Sequence, residues 1–240
     1  MITIENLKKA FGQTVACDIP ELTINDGDIL GLVGNNGAGK TTLFRLLLDL
    51  LQADAGSVEY VFDGSPSGSI NPAESEAWKE HVGAYIDEGF LIDFLTPEEY
   101  FSFLGKVSGI SQQEVDERLQ HFERFANGEI FGKKKLIRDL SAGNKMKVGI
   151  ISALFRHPKT VILDEPFNFL DPTSQLVLKH LLKDYAQETG ATILISSHNL
   201  QHTVDISSRI ALLEHGVIIR DLPNSEGSAT QELQEYFGAE

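Results

Sequence analysis

The chain has 240 residues, 42% hydrophobic and 23% charged, which suits one large or two small globular domains with a real core. Its 20 basic and 35 acidic residues leave a net charge of −15, which disfavours a nucleic-acid binder and direct adsorption to anionic lipid, since both need a basic face. One cysteine, Cys17, excludes an intramolecular disulfide, and no stretch approaches the roughly 18 uninterrupted apolar residues that direct membrane insertion needs.

Met1 to Glu5 lack the basic segment and long apolar core of a signal peptide, so a cytoplasmic location is expected. Residues 1 to about 30 read as short strands, with turns at Phe11-Gly12 and from Asn25 to Asp28. Phe11 is an aromatic residue upstream of the next motif, placed where it could stack on a purine.

The apolar run Ile29 to Val33 leads into Gly34, Asn35, Asn36, Gly37, Ala38, Gly39, Lys40, Thr41 and Thr42. This matches G-x-x-x-x-G-K-[ST], the phosphate-cradling P-loop, in its required place between a strand and a helix. The helix expected next carries Leu43, Leu46, Leu47 and Leu50 at i, i+3, i+4 and i+7. Backbone N–H groups and the positive end of that helix suit a polyphosphate. Lys40 would reach the β- and γ-phosphates, the Thr41 hydroxyl would hold Mg²⁺, and Thr42 lies near the α-phosphate.

A strand around Val58 to Phe62, a mobile surface loop from Asp63 to Pro72, a short helical entry at Trp78 to His81 and a buried strand at Val82 to Ile86 follow. Thr96, Pro97 and Glu99 form a capping-box start for a helical region running to about residue 130, with another start at Ser111. Phe90, Phe94, Tyr100, Phe101 and Phe103 cluster there; any that face solvent together would make a partner-docking groove. Lys133 to Lys135 read as a solvated turn.

Ser141, Ala142 and Gly143 open a helix that runs from about Ala142 to Arg156, and a helix start of this kind offers a hydroxyl and N–H groups to an anion. Thr160 to Leu163 is a buried parallel strand ending in Asp164 and Glu165. Ligands of open α/β sheets bind at such carboxyl ends, so Asp164 would hold the metal through water while Glu165 orients or deprotonates the attacking water. Asp171-Pro172 starts a helix striped by Leu178, Leu181, Leu182 and Tyr185 and ended by Gly190. Ala191 to Ser197 is a further strand with His198 at its carboxyl end, where it would sense a γ-phosphate. A hairpin over Arg209 to Leu213 and Val217 to Arg220 precedes a polar tail with a short helix from Ala229 to Phe237.

In this order, the motifs resemble those of the nucleotide-binding subunit of an ATP-binding-cassette (ABC) transporter over nearly the whole chain. Gly34 to Thr42 stand as Walker A, Asp164 and Glu165 as Walker B with its catalytic glutamate, and Leu140 to Asn144 as the signature loop. Asp171 stands as the D-loop aspartate, His198 as the switch histidine and Phe11 as the A-loop aromatic. The resemblance implies an α/β P-loop NTPase with a mainly parallel central sheet flanked by helices, an N-terminal antiparallel β subdomain and an inserted α-helical subdomain. The ATP-binding core is expected over residues 1–86 and 157–223, the helical subdomain over 87–156 and a tail over 224–240.

The resemblance also implies ATP hydrolysis with Mg²⁺ in a head-to-tail homodimer, in which Ser141, Ala142 and Gly143 of one copy close on the phosphate held by Lys40 of the other. The partner implied is a separate membrane permease, which would hold the protein on the cytoplasmic face. Three motifs depart from the family. The usual LSGGQ signature has become Leu-Ser-Ala-Gly-Asn, with an altered rate expected, and Phe167 and Phe169 stand where Thr and Gly are frequent. The Q-loop position is best matched by Asp87, a candidate metal contact, with Glu88 next. Val82 to Glu88 and the altered signature look most like the multidrug, bacteriocin or bacitracin-type exporters. A soluble accessory ATPase and a nucleotide-gated interaction module of low turnover are the alternatives.

Overall fold

In the computed structural model, which describes residues 1–62 and 68–238, two sheets enclose one layer of helix and a second layer covers the larger sheet. The elements in order are β1 (Ile2–Phe11), β2 (Thr14–Ile24), β3 (Ile29–Val33), α1 (Lys40–Leu47), β4 (Ala55–Val61), β5 (Ser69–Ile70), β6 (Val82–Tyr85), α2 (Pro97–Val107), α3 (Gln112–Gln120), α4 (Glu123–Ala126) and α5 (Ala142–Leu154). After these come β7 (Thr160–Leu163), α6 (Pro172–Thr189), β8 (Thr192–Ser197), α7 (Leu200–Ile206), β9 (Arg209–Glu214), β10 (Val217–Pro223) and α8 (Thr230–Gly238).

The smaller sheet is antiparallel, in the order β2-β1-β4-β5, and the larger runs β10-β9-β3-β8-β7-β6. From β9 to β6 every pairing in the larger sheet is parallel, and β10 returns antiparallel on its edge. Strands β3, β7 and β8 are buried along their whole length, as continuous apolar runs in a two-sided parallel sheet must be.

Alternation along these strands feeds two cores. Leu30, Leu32, Ile162 and Leu194 face α1 and the antiparallel sheet, packing with Leu43, Phe44, Leu47, Ile4 and Tyr60. Val161, Leu163, Ile193 and Ile195 face the other way, toward Val148, Ile151, Leu178 and Leu182 of α5 and α6. Each such side chain contributes about 1.5–3 kcal/mol by leaving water, so a one-residue slip would exchange the faces and remove both cores.

The parallel register decides where the chemistry lies. Val33 pairs with Ser197, Leu163 with Ile195 and Tyr85 with Leu163. The segments that leave these strands, carrying the P-loop, Asp164, His198 and Asp87, therefore share one sheet edge.

Local signals mark the helix ends. Thr96 and Glu99 complete both halves of the capping box of α2, Ser111 caps α3, and Asp171 and the left-handed Gly190 bound α6. Some expectations need correction. The first two strands are long, not short, because they zip together over β1 and β2 and continue onto β4. Helix α1 ends at Leu47, and Leu50 lies beyond it, exposed at 48%, so it does not continue the buried stripe. Helix α7 was not anticipated, and β10 extends to Pro223. Tyr100 and Phe101 are core, whereas Phe90, Phe94 and Phe103 are exposed. Residues 63–67 of the expected surface loop lie outside the described residues.

Candidate functional site

The loop between β3 and α1 closes around the Lys40 ammonium, which donates to the carbonyls of Gly34 at 2.6 Å and Asn35 at 3.3 Å. Gly39 adopts φ 109°, and a Cβ there would lie 2.3 Å from the Ala16 carbonyl oxygen. Only glycine allows that turn and that approach of β2 to the loop. Ala16, Asn36, Gly37, Gly39, Lys40, Thr41, Thr42 and Glu165 line a cavity of about 210 Å³ at the start of α1.

Thr41 Oγ1 donates to Asp164 Oδ2 at 2.5 Å, while Ser196 Oγ donates to Asp164 Oδ1. Burial pushes the Asp164 carboxyl above the usual range, against the hydrogen bonds from Ser196 and Thr41 and the charge of Lys40, with Glu165 adding to the rise. A hydroxyl and a carboxylate this close make a hard-oxygen pair suited to Mg²⁺. Among the described residues no group of three His, Cys, Asp or Glu side chains could hold a metal.

Glu165 has φ 47°, a left-handed conformation that costs a non-glycine residue about 1–3 kcal/mol. Its surroundings hold it there. Its N–H donates to Ser196 Oγ at 2.8 Å, and its Oε2 accepts from the His198 N–H at 3.3 Å and lies 2.8 Å from His198 Nδ1. Oε1 lies 3.4 Å from Lys40 Nζ. The strained turn thus aims the carboxylate back over the P-loop, between a cation and an imidazole.

Other expected site residues stand apart from this cavity. Ser141 caps α5 by accepting from Asn144 N–H at 3.2 Å. Gly143 meets its own chain's Phe169, whose carbonyl oxygen would be 2.6 Å from any Cβ. Ala142 shares with Asp87, Asp164, Glu165 and Phe169 the lining of a second cavity of about 240 Å³. Asp87 accepts from Gly89 N–H at 2.8 Å and from Arg45 Nη2 at 3.2 Å. Asp171 caps α6, and the hydrogen bond from the Ser174 hydroxyl, followed by the backbone bonds from Ser174 and Thr173, holds its carboxyl below the usual range. Phe11 sits opposite Thr14 at the tip of the β1–β2 hairpin, exposed, with Lys9 Nζ 5.7 Å from the ring centre.

Two participants were missed. Ser196 joins Asp164 to Glu165, and Arg45 holds Asp87; the signal for the first is a hydroxyl ending an otherwise apolar strand, and for the second none exists in local sequence.

Fold and site together define a P-loop nucleotide-binding module, with the Walker-type threonine and aspartate hydrogen-bonded to each other and the lysine paired with the strand-end glutamate. Residues 17–168 match the ABC transporter family, and the chain belongs to it, carrying its ATP-binding domain. The chain is 31% identical over 221 residues to the methionine import ATP-binding protein MetN of Rhizobium johnstonii, a match covering 92% of this chain and 60% of MetN. It is 32% identical over 231 residues to the bacitracin transport ATP-binding protein BcrA of Enterococcus faecalis, covering 94% of this chain and 70% of BcrA. The chain thus spans 60% of MetN's length, a little under two thirds. In three dimensions it is similar, at a TM-score of 0.80 and 22% identity, to the ATP-binding cassette MJ0796 in a dimeric post-hydrolysis state bound to ADP and phosphate, covering 94% of this chain and 99% of that one. Among the described residues no helix is long and apolar enough to cross a membrane.

Proposed function

We propose that two copies of this chain hydrolyse ATP with Mg²⁺ at paired composite sites and drive export through a separate membrane permease, on whose cytoplasmic side they sit. The observation that carries this is the division of the site. The P-loop cavity holds Lys40, Thr41 and Glu165 but no residue of the Ser141 to Gly143 loop, whose Gly143 lies on Phe169 and whose Ala142 lines only the neighbouring cavity beside Asp164 and Glu165. A second copy, turned head to tail, supplies that loop to the phosphate, so ATP joins the two.

In this mechanism backbone N–H groups from Gly37 to Thr42 and the Lys40 ammonium hold the β- and γ-phosphates, and Phe11 stacks on the base. Thr41 and Asp164 would hold Mg²⁺, which would supply positive charge to neutralise the phosphates, and Asp87, now paired with Arg45, would be a further oxygen donor for it. Glu165 takes a proton from the attacking water as the water oxygen bonds to the γ-phosphorus, and the bond to the bridging oxygen breaks to release ADP. His198 orients Glu165 and donates toward the γ-phosphate, while Asp171 fixes the segment that faces the second copy.

Support for a permease comes from a groove of about 370 Å³ lined by Leu48, Leu50, Trp78, Ile86 and Phe90, in which Phe90 is 52% exposed. Exposed apolar surface around a cavity fits an amphipathic partner segment. Export rests on the acidic pair Asp87 and Glu88 and on the likeness to BcrA, against the likeness to MetN. The test is purification of the Glu165→Gln variant in mild detergent with ATP and Mg²⁺. A stoichiometric multi-span protein supports the proposal; soluble partners only, or the chain alone, would replace it by an accessory ATPase or a nucleotide-gated module.

A further inference from the structure

Phe167 is 3% exposed, two residues beyond Glu165, and stacks on the His202 ring with centroids 4.7 Å apart and planes inclined at 29°. Three other contacts fix this pair. The Lys179 ammonium lies 5.9 Å from the Phe167 ring centre, Gln175 Nε2 donates to the Phe167 carbonyl at 3.2 Å, and Lys179 is paired with Asp205 at 2.6 Å. The stack therefore joins the segment after β7 to α7, four residues beyond His198. Nδ1 of His202 is buried and has no hydrogen-bond partner among the described residues. An added proton there would have no acceptor and would place a second cation beside the Lys179 ammonium that already sits at the Phe167 ring.

We propose that Phe167 and His202 are positioning residues that hold the His198 loop against Glu165, through a ring stack that requires an uncharged His202 imidazole. The inference rests on the hydrolytic roles given above to Glu165 and His198. Those two groups meet at 2.8 Å across the join that the stack spans. Movement of about 1 Å at such a contact can lower turnover about a hundred-fold.

The groups facing His202 act in the same sense on balance. Burial lowers its pKa below the ordinary histidine value, Lys179 and His198 lower it further, and Asp205 and Glu165 oppose them. A histidine whose folded pKa is depressed stays neutral through the physiological range. Its stack is lost only as pH falls below the ordinary histidine value toward the folded one.

Two variants separate positioning from packing. Phe167→Leu keeps an apolar side chain under α7 and removes the ring face; His202→Phe keeps a ring and removes the titrating nitrogen. ATP turnover is measured against pH, and the histidine rings are titrated by NMR. Expected are a fall in kcat of about five- to ten-fold in Phe167→Leu with the ATP KM within about two-fold, and an acid limb displaced to lower pH, relative to its own plateau, in His202→Phe. By NMR, His202 titrates below the ordinary range, and Phe167→Leu raises its midpoint and moves the His198 signal. Superimposable acid limbs, or His202 and His198 signals unmoved by Phe167→Leu, would overturn the proposal. An absence of turnover in the wild type would instead remove the hydrolytic role, and the NMR titration alone would then decide whether the stack governs the two rings.

Discussion

Lys40 Nζ stands 3.4 Å from Glu165 Oε1 while donating to the Gly34 carbonyl at 2.6 Å, so one ammonium is shared between the loop it anchors and the carboxylate that faces it. A γ-phosphate arriving at Lys40 competes with that carboxylate for the cation and meets its negative charge. Glu165→Gln removes both the competition and the base. ATP affinity should rise, and turnover should fall by about a hundred- to ten-thousand-fold, the usual contribution of a positioned general base. A fluorescent-nucleotide titration and a phosphate-release assay measure the two effects, and normal turnover would remove Glu165 from its role.

Lys40→Ala should weaken ATP binding, since charge-assisted hydrogen bonds contribute about 1.5–3 kcal/mol each, which corresponds to roughly a ten- to hundred-fold loss of affinity. Because Lys40 also ties Gly34 and Asn35 together, the loop should loosen as well. Calorimetric titration gives the affinity directly, and an unchanged Kd would mean that the phosphate lies elsewhere.

Gly143→Asp tests the composite site. Its Cβ would stand 2.6 Å from the Phe169 carbonyl oxygen, and its carboxylate would meet the partner's nucleotide with like charge. ATP should still bind the single chain, because the P-loop cavity does not include this residue, but ATP-driven dimerisation and turnover should both be lost. Size-exclusion chromatography of the Glu165→Gln background with and without Gly143→Asp reads the first, and turnover of Gly143→Asp alone reads the second. A dimer that survives would show that the signature loop does not complete the site.

Much of this arrangement was legible because it is local. The glycines, Lys40 and Thr41 are spaced by the demands of one turn, Asp164 and Glu165 follow directly on an apolar strand, and His198 follows a strand whose apolar run closes in two serines. Their meeting follows from parallel strands alone. What escaped depends on side chains distant in sequence. Ser196 bridges Asp164 and Glu165 from another strand, Arg45 takes Asp87 at the surface from a helix far back in the chain, and Phe167 finds His202 on a helix whose seven residues carry too little periodicity to announce it. Leu50 failed for the opposite reason: the i+7 spacing was there, but α1 had ended, and periodicity does not report where a helix stops.

Asp171 carries a pH dependence with a definite sign. Its carboxyl is held below the usual range by the Ser174 hydroxyl and by backbone N–H groups at the start of α6. A carboxylate with a depressed folded pKa stabilises the protein above its unfolded pKa, and the effect disappears as pH falls through the folded one. Thermal unfolding of the wild type should therefore lose this contribution below about pH 4, whereas Asp171→Ala should lack it throughout and Asp171→Asn, which still caps, should recover part of it without the pH dependence. Parallel melting curves for wild type and Asp171→Ala across that range would exclude the cap as a titrating element.

Phe90 tests the proposed permease groove separately from the nucleotide site. It is 52% exposed, so a charge there leaves the core untouched, and surface substitutions of this kind usually change stability by less than about 0.5 kcal/mol. Buried against an amphipathic partner, the same charge would be desolvated without a counter-ion and would weaken the complex. Phe90→Glu should keep ATP affinity and lose the co-purifying membrane protein, which pull-down from detergent-solubilised membranes and a nucleotide titration read side by side. Retention of the membrane protein by Phe90→Glu would place the docking surface elsewhere, and loss of ATP affinity in the same variant would mean that the groove and the P-loop are not separable through this residue.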